Sequence, residues 1–443
     1  MYWELTRACD LACRHCRAEA VPGRDPGELD TGEGRRLLES LAALEPPRPH
    51  LVLTGGDPLK RPDFWALLDH AVALGLDVAV APSGTPALGP AVVRRFADAG
   101  VRAISLSLDG ADAAAHDGFR GVPGCFERTL AAARAAVDAR LALQVNTLVT
   151  AATLADLPRI HARVAGLGAV RWSLFFLVQV GRGRDLQQLA PAACEHLLAW
   201  CAARSGQGAC AVTATEAPHY RRVVLQRLRA AGAGAAGAPA GVRHGFGIRD
   251  GNGVMFVSHR GDVQPSGFLP LVAGSVRTAS AVSVYREAPL FHALREPAAF
   301  HGRCGRCEFR EVCGGSRARA YAASGDPLGE DPGCAWQPRP VVPALAGGSS
   351  PALGPTRTAI DAALDTVIDP ELGMSVTTLG LVYDVAVDGG TVRITMTLTA
   401  PGCPLHEVMS DWVRAAVLRV PGVCTVDVVL TFDPPWTPAR IRT

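Results

Sequence analysis

No stretch of this chain reaches the roughly 18 uninterrupted apolar residues needed to cross a bilayer. The opening Met1-Tyr2-Trp3-Glu4 also lacks the basic-then-apolar build of an export signal. These two absences give the expectation of a cytoplasmic protein with no membrane partner. A surplus of charge is missing as well: 44 basic against 42 acidic residues leave a formal +2. There is no field to hold nucleic acid or anionic lipid, so the expected substrate is a small molecule or a peptide. Lysine is almost absent, with Lys60 alone among the arginines; beside the abundant Ala and Gly this reads as compositional bias and carries no functional weight. The chain shows no internal repeat.

What it does have is cysteine, thirteen in 443 residues. In a long chain without an export signal thiols stay reduced, and clustered ones act as metal ligands. Length alone argues for two or three domains. Residues 31–204 alternate short apolar, β-branched runs with amphipathic Ala/Leu/Arg segments, the pattern of a parallel α/β fold. Strands are expected at 2–6, 50–54, 77–81, 102–108, 141–149 and 170–178, with Thr31 capping one of the intervening helices. Such units suit a partial or full (βα) barrel, whose chemistry collects on the loops after the C-terminal strand ends. The first strand is short for an interior parallel strand, so either the true start lies upstream of Met1 or the barrel has an open edge.

Two stretches rich in Ala, Gly, Pro and Ser, 230–241 and 338–355, read as connections. They divide the chain into a barrel core at 1–229, a small cysteine-rich segment at 242–337, a linker at 338–355 and a compact α+β domain at 356–443. The last is expected to run as a helix, a hairpin turning at Asp388-Gly389-Gly390, a loop, a helix and a strand near 423–430.

Cys9, Cys13 and Cys16 form a CxxxCxxC loop directly after the first strand. Three thiolates on so short a loop converge on one site, and three ligands for a 4Fe-4S cluster leave one iron open to an exogenous ligand. A zinc site borrowing a distant fourth ligand is the alternative. In spacing and position the loop resembles that of the radical S-adenosylmethionine (SAM) superfamily. The resemblance implies that SAM chelates the open iron through its amino and carboxylate groups. Reductive cleavage of its sulfonium then gives methionine and a 5'-deoxyadenosyl radical that abstracts hydrogen from the substrate. It also implies a set of SAM contacts: Gly55, Gly56 and Asp57 in a GGE-type turn that receives the ammonium, Ser83 after the third strand, Ser107 and Asp109 at the end of the fourth, Arg120 pairing with the SAM carboxylate, and Asn146 on the fifth. Plainer alternatives exist: Gly-Gly-Asp-Pro is an ordinary turn, Asp109 a turn cap, Arg120 a surface ion pair and Asn146 a strand-end donor. No acid, base or nucleophile stands out beyond the cluster and SAM, as expected when a radical performs the difficult step.

Cys304, Cys307, Cys313 and Cys334 supply four thiols around a Gly/Arg-rich segment too poor in apolar residues to fold by core burial. A metal should organise it, and CxxC alone leaves a zinc ribbon open. The string resembles the SPASM and twitch extensions of radical SAM enzymes, which bind auxiliary 4Fe-4S clusters. A full SPASM extension has further cysteines where this chain has Arg317 and Ser266. The resemblance therefore implies one auxiliary cluster on the four thiols, fully ligated and acting as an electron carrier. Cys125, Cys194, Cys201, Cys210 and Cys424 lack ligand spacing and read as packed thiols.

Val367-Ile368-Asp369-Pro370-Glu371-Leu372 and Leu398-Thr399-Ala400-Pro401-Gly402-Cys403-Pro404 resemble SufT and PaaD-like domains tied to metal-sulfur cluster assembly. In that family the cysteine matching Cys403 is the functional thiol, able to hold iron or a cluster. A position just before a helix favours such a thiolate, and an inert loop thiol is the alternative.

Together these resemblances imply a radical SAM enzyme with two 4Fe-4S clusters and SAM, a reducing partner such as flavodoxin or ferredoxin, and contacts with iron-sulfur assembly proteins. The Cys-Arg-His-Cys loop and the single auxiliary cluster look most like enzymes that modify tetrapyrrole side chains in haem biosynthesis. Maturases of ribosomally made peptides are the near alternative, and a non-catalytic cluster scaffold or carrier is the alternative of another class. A carrier has no use for a nucleoside pocket, so Gly55, Gly56, Ser107 and Arg120 favour an enzyme.

Overall fold

The computed structural model describes residues 1–45, 48–205, 210–230, 247–338, 355–367, 369, 374–398, 406–437 and 440. The chain divides into two compact units, Met1–Val224 with Gly245–Pro340, and Leu225–His244 with Val341–Thr443. The linker expected at 338–355, most of the one at 230–241, and Cys403 lie outside the described residues.

The first unit runs β1 (Tyr2–Glu4), α1 (Thr31–Ala42), β2 (Leu51–Thr54), α2 (Phe64–Ala73), β3 (Val78–Val80), α3 (Pro90–Asp98), β4 (Ala103–Ser107), α4 (Ala113–Arg120), α5 (Cys125–Asp138), β5 (Ala142–Val149), α6 (Leu157–Gly166), β6 (Arg171–Phe176), α7 (Pro191–Arg204), β7 (Ala211–Thr215) and α8 (His219–Ala230). After these come a two-stranded ribbon of β8 (Arg249–Asp250) and β9 (Gly253–Val254), then β10 (Phe256–Val257), β11 (Asp262–Gln264) and β12 (Gly274–Ser275). One sheet of ten strands has the order β12-β11-β10-β1-β2-β3-β4-β5-β6-β7. Neighbours from β1 to β7 are parallel, as the βα alternation requires.

The expected α/β architecture is present, with three differences. β7 has no counterpart in the sequence reading, which traced the βα alternation only to residue 204, although Val212, Thr213 and Thr215 are β-branched. β1 is not an edge: β10 pairs with it in parallel, Tyr2 opposite Phe256 and Trp3 opposite Val257. The cysteine-rich segment thereby adds strands to the barrel's own sheet, and β1 has hydrogen-bonded neighbours on both sides despite its length. Thr31 does not cap α1. Asp30 does, accepting from Glu33 N at 2.7 Å while Glu33 accepts from Asp30 N at 2.8 Å, a reciprocal box that ties up two otherwise orphaned donors. Thr31 becomes the first helical residue, and its hydroxyl donates to Asp63 at 2.7 Å.

The sheet alternates cleanly where the chemistry sits. On β4 and β5, Ile104, Leu106, Leu143 and Val145 are buried, while Ser105, Ser107, Gln144 and Asn146 share the opposite, half-buried face. The apolar face packs under helices, and the polar face is left for a ligand. No described helix is long and apolar enough to cross a membrane.

The second unit has a helix Arg357–Leu364, strands β13 (Val382–Asp388) and β14 (Thr391–Met396) joined at Gly389 and Gly390, a helix His406–Val417, and β15 (Thr425–Leu430) parallel to β14. This is the α+β order expected from the sequence. Ile360, Leu364, Val392, Ile394, Met396, Met409, Val413 and Val417 form its core.

Two histidines of the first unit are buried without charge. Burial, then the nearby Arg120, pushes His116 down to about 4, and burial pushes His219 down to about 3. Unfolded histidine titrates near 6.5, so between about pH 6.5 and pH 4 the unfolded chain binds protons that the folded one refuses. Each should remove up to about 1.4 kcal/mol of stability per pH unit as pH falls through that window. Urea unfolding followed from pH 7 to pH 5 should show this slope, and His219→Phe should flatten it.

Candidate active site

The loop after β1 is held from several directions. Cys9 N donates to Val21 O at 2.8 Å, Ala12 N to Arg120 O at 3.1 Å, Arg14 N to Phe119 O at 3.1 Å, and Arg182 N to Cys16 O at 3.1 Å. From below it rests on Gly55 and Gly56. A Cβ on Gly56 would lie 2.5 Å from Ala8 O, and one on Gly55 2.6 Å from Thr6 O, so only glycine fits beneath the loop. Gly56 N and Asp57 N donate to Thr6 O and Ala8 O at 2.7 Å each, stitching turn to loop.

Each of the three sulfurs has a donor. Leu11 N lies 3.4 Å from Cys9 Sγ, Ala20 N 3.4 Å from Cys16 Sγ, and Arg120 Nη1 3.6 Å from Cys13 Sγ. Ser83 Oγ stands 3.6 Å from Cys9 Sγ and donates to Gly56 O at 2.7 Å. Asp57 is fully buried and accepts from Thr85 Oγ1 at 2.8 Å and Leu59 N at 3.2 Å. Burial raises its carboxyl above the usual range, and its side chain braces two loops.

Arg120 does not lie at the surface. Its guanidinium pairs with Asp109, whose other oxygen accepts from Leu148 N at 2.7 Å, and both are buried. Burial opposes the charge on Asp109 most strongly, but Arg120, the neighbouring histidines and the Leu148 N–H together hold the carboxyl below its ordinary value. Asp109 N donates to His116 Nδ1 at 3.0 Å. His15 stacks on Phe119 at 4.8 Å; burial, then Arg120, pushes it down to about 4. The structure thus gathers Cys9, Cys13, Gly56, Asp57, Ser83, Asp109 and Arg120 into one connected set. Ser107 and Asn146 are cross-strand partners on β4 and β5, with Asn146 accepting from Gln144 at 2.8 Å. No described bond ties either of them to the cysteine loop.

The second cysteine set lines a narrow cleft together with Arg222, Arg303, Arg310, Asp331 and Trp336. Its sulfurs too have donors. Phe309 N reaches Cys307, Gly315 N reaches Cys313, and both Asp331 N and Arg317 Nη2 reach Cys304, each at 3.4 Å; Arg222 Nη2 is 3.9 Å from Cys334. Burial pushes the Cys307 thiol up to about 11 and Cys313 to about 12. Left alone, both would be protonated, whereas the donors around them suit thiolates. Ser266 is buried and accepts from Phe268 N at 3.2 Å.

Residues 3–158 match the radical SAM superfamily, and residues 357–428 match the iron-sulfur cluster assembly protein family. The chain is 39% identical over 342 residues to the AdoMet-dependent heme synthase of Methanosarcina barkeri, covering 76% of this chain and 96% of that protein. The chain belongs to the radical SAM superfamily. It is also 32% identical over 341 residues to the mycofactocin maturase MftC of Mycobacterium ulcerans, covering 75% of this chain and 86% of that one. Among solved structures, Streptococcus suis SuiB bound to S-adenosylmethionine superposes with a TM-score of 0.56 at 15% identity, covering 76% of each chain.

As a radical SAM enzyme the protein works with a 4Fe-4S cluster and SAM, and the first loop fits such a group, since its three thiols are free and each sulfur is already met by a donor. Sequence reasoning missed the clamp behind this loop. Glu4 accepts from Arg17 at 2.8 Å and lies 2.8 Å from His259 Nδ1, tying the residue after Cys16 to the hairpin of β10 and β11. The signal was available in the buried charge of β1, where Glu4 interrupts an apolar run. It also missed the bidentate pair of Arg319 and Asp331, at 2.6 and 3.0 Å, both fully or almost fully buried.

Because Arg120 pairs with Asp109, Arg120→Ala should strand a buried carboxylate and cost about 3–5 kcal/mol of stability. It should also loosen iron on the first set. Denaturant unfolding with iron analysis tests this, and a variant with native stability and iron would put the guanidinium elsewhere.

Proposed function

We propose that this radical SAM enzyme acts on a tetrapyrrole, modifying its side chains in haem biosynthesis. The observation that carries the proposal is the likeness to the heme synthase, which spans nearly all of that protein at 39% identity. When bound, the first cluster and SAM supply a 5'-deoxyadenosyl radical for hydrogen abstraction. In this reading Cys9, Cys13 and Cys16 hold that cluster with one iron open. Gly55 and Gly56 support the loop closely enough to present backbone groups to SAM, and Ser83, Ser107 and Asn146 offer polar contacts on the ligand face. Asp109 orients Arg120, which donates to Cys13. The loops packed over Cys13 and His15 shield the site from water.

Cys304, Cys307, Cys313 and Cys334 hold a second 4Fe-4S cluster that carries an electron, because four protein ligands leave no iron for substrate. A small reducing protein such as flavodoxin or ferredoxin serves the first cluster. The C-terminal domain, through Cys403, assists cluster delivery or repair; the match to iron-sulfur cluster assembly proteins supports this. The maturase likeness, at 32% identity, keeps a ribosomally made peptide as the competing substrate.

Anaerobic reconstitution should yield about eight irons per chain, from ligand sets of three and four thiols. With reductant, SAM and an iron tetrapyrrole carrying propionates, 5'-deoxyadenosine should form together with an altered tetrapyrrole. Replacing Cys9, Cys13 and Cys16 by Ala should abolish both products and leave about four irons. Turnover of a precursor peptide with no change in the tetrapyrrole would move the enzyme to the maturases.

A further inference from the structure

Arg317 stands where a full SPASM extension would place another cysteine, and the structure gives it a different task. Its side chain is fully buried at the start of the helix Arg317–Ser324. Nη1 donates to Gly329 O at 2.6 Å and Pro327 O at 3.2 Å, and Nε to Gly315 O at 3.2 Å. Nη2 is aimed at Cys304 Sγ, 3.4 Å away. The guanidinium also lies 4.5 Å from the centre of the Phe300 ring. Three of the five N–H groups go to neutral carbonyls and the Phe300 ring covers one face of the plane, so the fork is fixed with an Nη2 N–H toward sulfur.

The carboxylate that feels this charge, Asp326, is half exposed and pairs with His301. Among the described residues Arg317 bonds no carboxylate. A second buried guanidinium, Arg249, sits 5.0 Å from the same Phe300 ring and also bonds carbonyls, Gly247 O at 3.0 Å and Leu294 O at 3.3 Å. Burial, then Arg317 itself, pushes Arg249 down to about 10. Two like charges in a dry site are costly unless something negative lies between or beside them. The approach to sulfur is also built into the backbone. Gly315 sits at φ +70°, and a Cβ there would fall 2.6 Å from Arg317 Nη2 and 3.0 Å from Cys304 Sγ. Any larger residue would push the guanidinium off the thiol.

We propose that Arg317 is a positioning residue that sets the reduction potential of the second cluster, its buried charge and its N–H···S contact to Cys304 favouring the reduced state. This rests on the reading that Cys304, Cys307, Cys313 and Cys334 hold a 4Fe-4S cluster. Reduction adds one negative charge to a four-thiolate cluster, so a fixed cation and a hydrogen bond to sulfur raise its potential. The lost ligand position of a second auxiliary cluster has become an electrostatic control on the one that remains.

The test uses the full chain with Cys9, Cys13 and Cys16 replaced by Ala and reconstituted anaerobically, so that any EPR signal on reduction belongs to the second cluster. The signal is followed against solution potential. Arg317→Gln should lower the midpoint so that, at the potential where the Arg317 protein is half reduced, the ratio of oxidised to reduced cluster rises about tenfold, about 59 mV for one electron. Arg317→Lys keeps the charge but loses the fork, and should fall between the two. Equal midpoints in all three proteins overturn the inference. If the Gln variant takes up no cluster, the Lys variant decides by the same criterion. If neither variant loads while the Arg317 protein does, Arg317 is an assembly residue and the inference is overturned. No 4Fe-4S signal even with Arg317 in place is a separate result, which removes the four-cysteine reading itself.

Discussion

A thiolate taken out of water has to be met by positive charge or by N–H donors, and both cysteine sets are arranged around that requirement. Each donor must in turn be held. Around the first set Arg120 reaches Cys13 because Asp109 fixes it from behind, and Asp109 is fixed by Leu148 N on β5. Around the second, Asp331 donates its N–H to Cys304 while its carboxylate clamps Arg319, which reaches Glu216 O just past the end of β7 at 2.6 Å. The cysteine-rich segment is therefore docked on the C-terminal strand ends by the same ions that serve its sulfurs. It cannot be a free appendage, and β10 beside β1 shows the second point of attachment.

The parts of this arrangement that were legible in the sequence are local ones. The spacing of Cys9, Cys13 and Cys16 fixes a short loop, and βα alternation fixes the parallel order of β1 to β6. The hairpin at Gly389 and Gly390 follows from turn chemistry alone. What was not legible depends on partners far apart in the chain. His259 meets Glu4 across 255 residues, and nothing near either residue announces the other. Arg120 is the clearest case: its segment pointed to a SAM contact, but the ion pair with Asp109 is visible only once α4 is laid against the end of β4. β7 was missed, and β10, expected as part of a hairpin at 254–257, was not foreseen beside β1, for a different reason. Strands this short owe their existence to the sheet they join and carry little periodicity of their own.

The two glycine contacts show how closely backbone and function are linked here. Gly56 beneath the first loop and Gly315 beside Cys304 both mark places where a methyl group would displace a sulfur's support. In each case the glycine belongs to the framework that orients ligands, and its own backbone also forms part of the donor set: Gly56 N stitches the turn to Thr6 O, and Gly315 N donates to Cys313 Sγ at 3.4 Å.

The charges near the two sets are balanced differently. Near the first loop three cations have carboxylate partners, Lys60 with Asp10, Arg17 with Glu4 and Arg120 with Asp109, while Arg7 donates to Glu19 O and Arg182 has buried side-chain nitrogens with no described partner. Near the second set the pairs of Arg303 with Glu330 and Arg222 with Glu195 also cancel, but Arg317 and Arg249 remain buried with carbonyl partners. Glu311 and Asp250 offset Arg249 in part, whereas Arg317 is the guanidinium that meets a thiol directly, at Cys304.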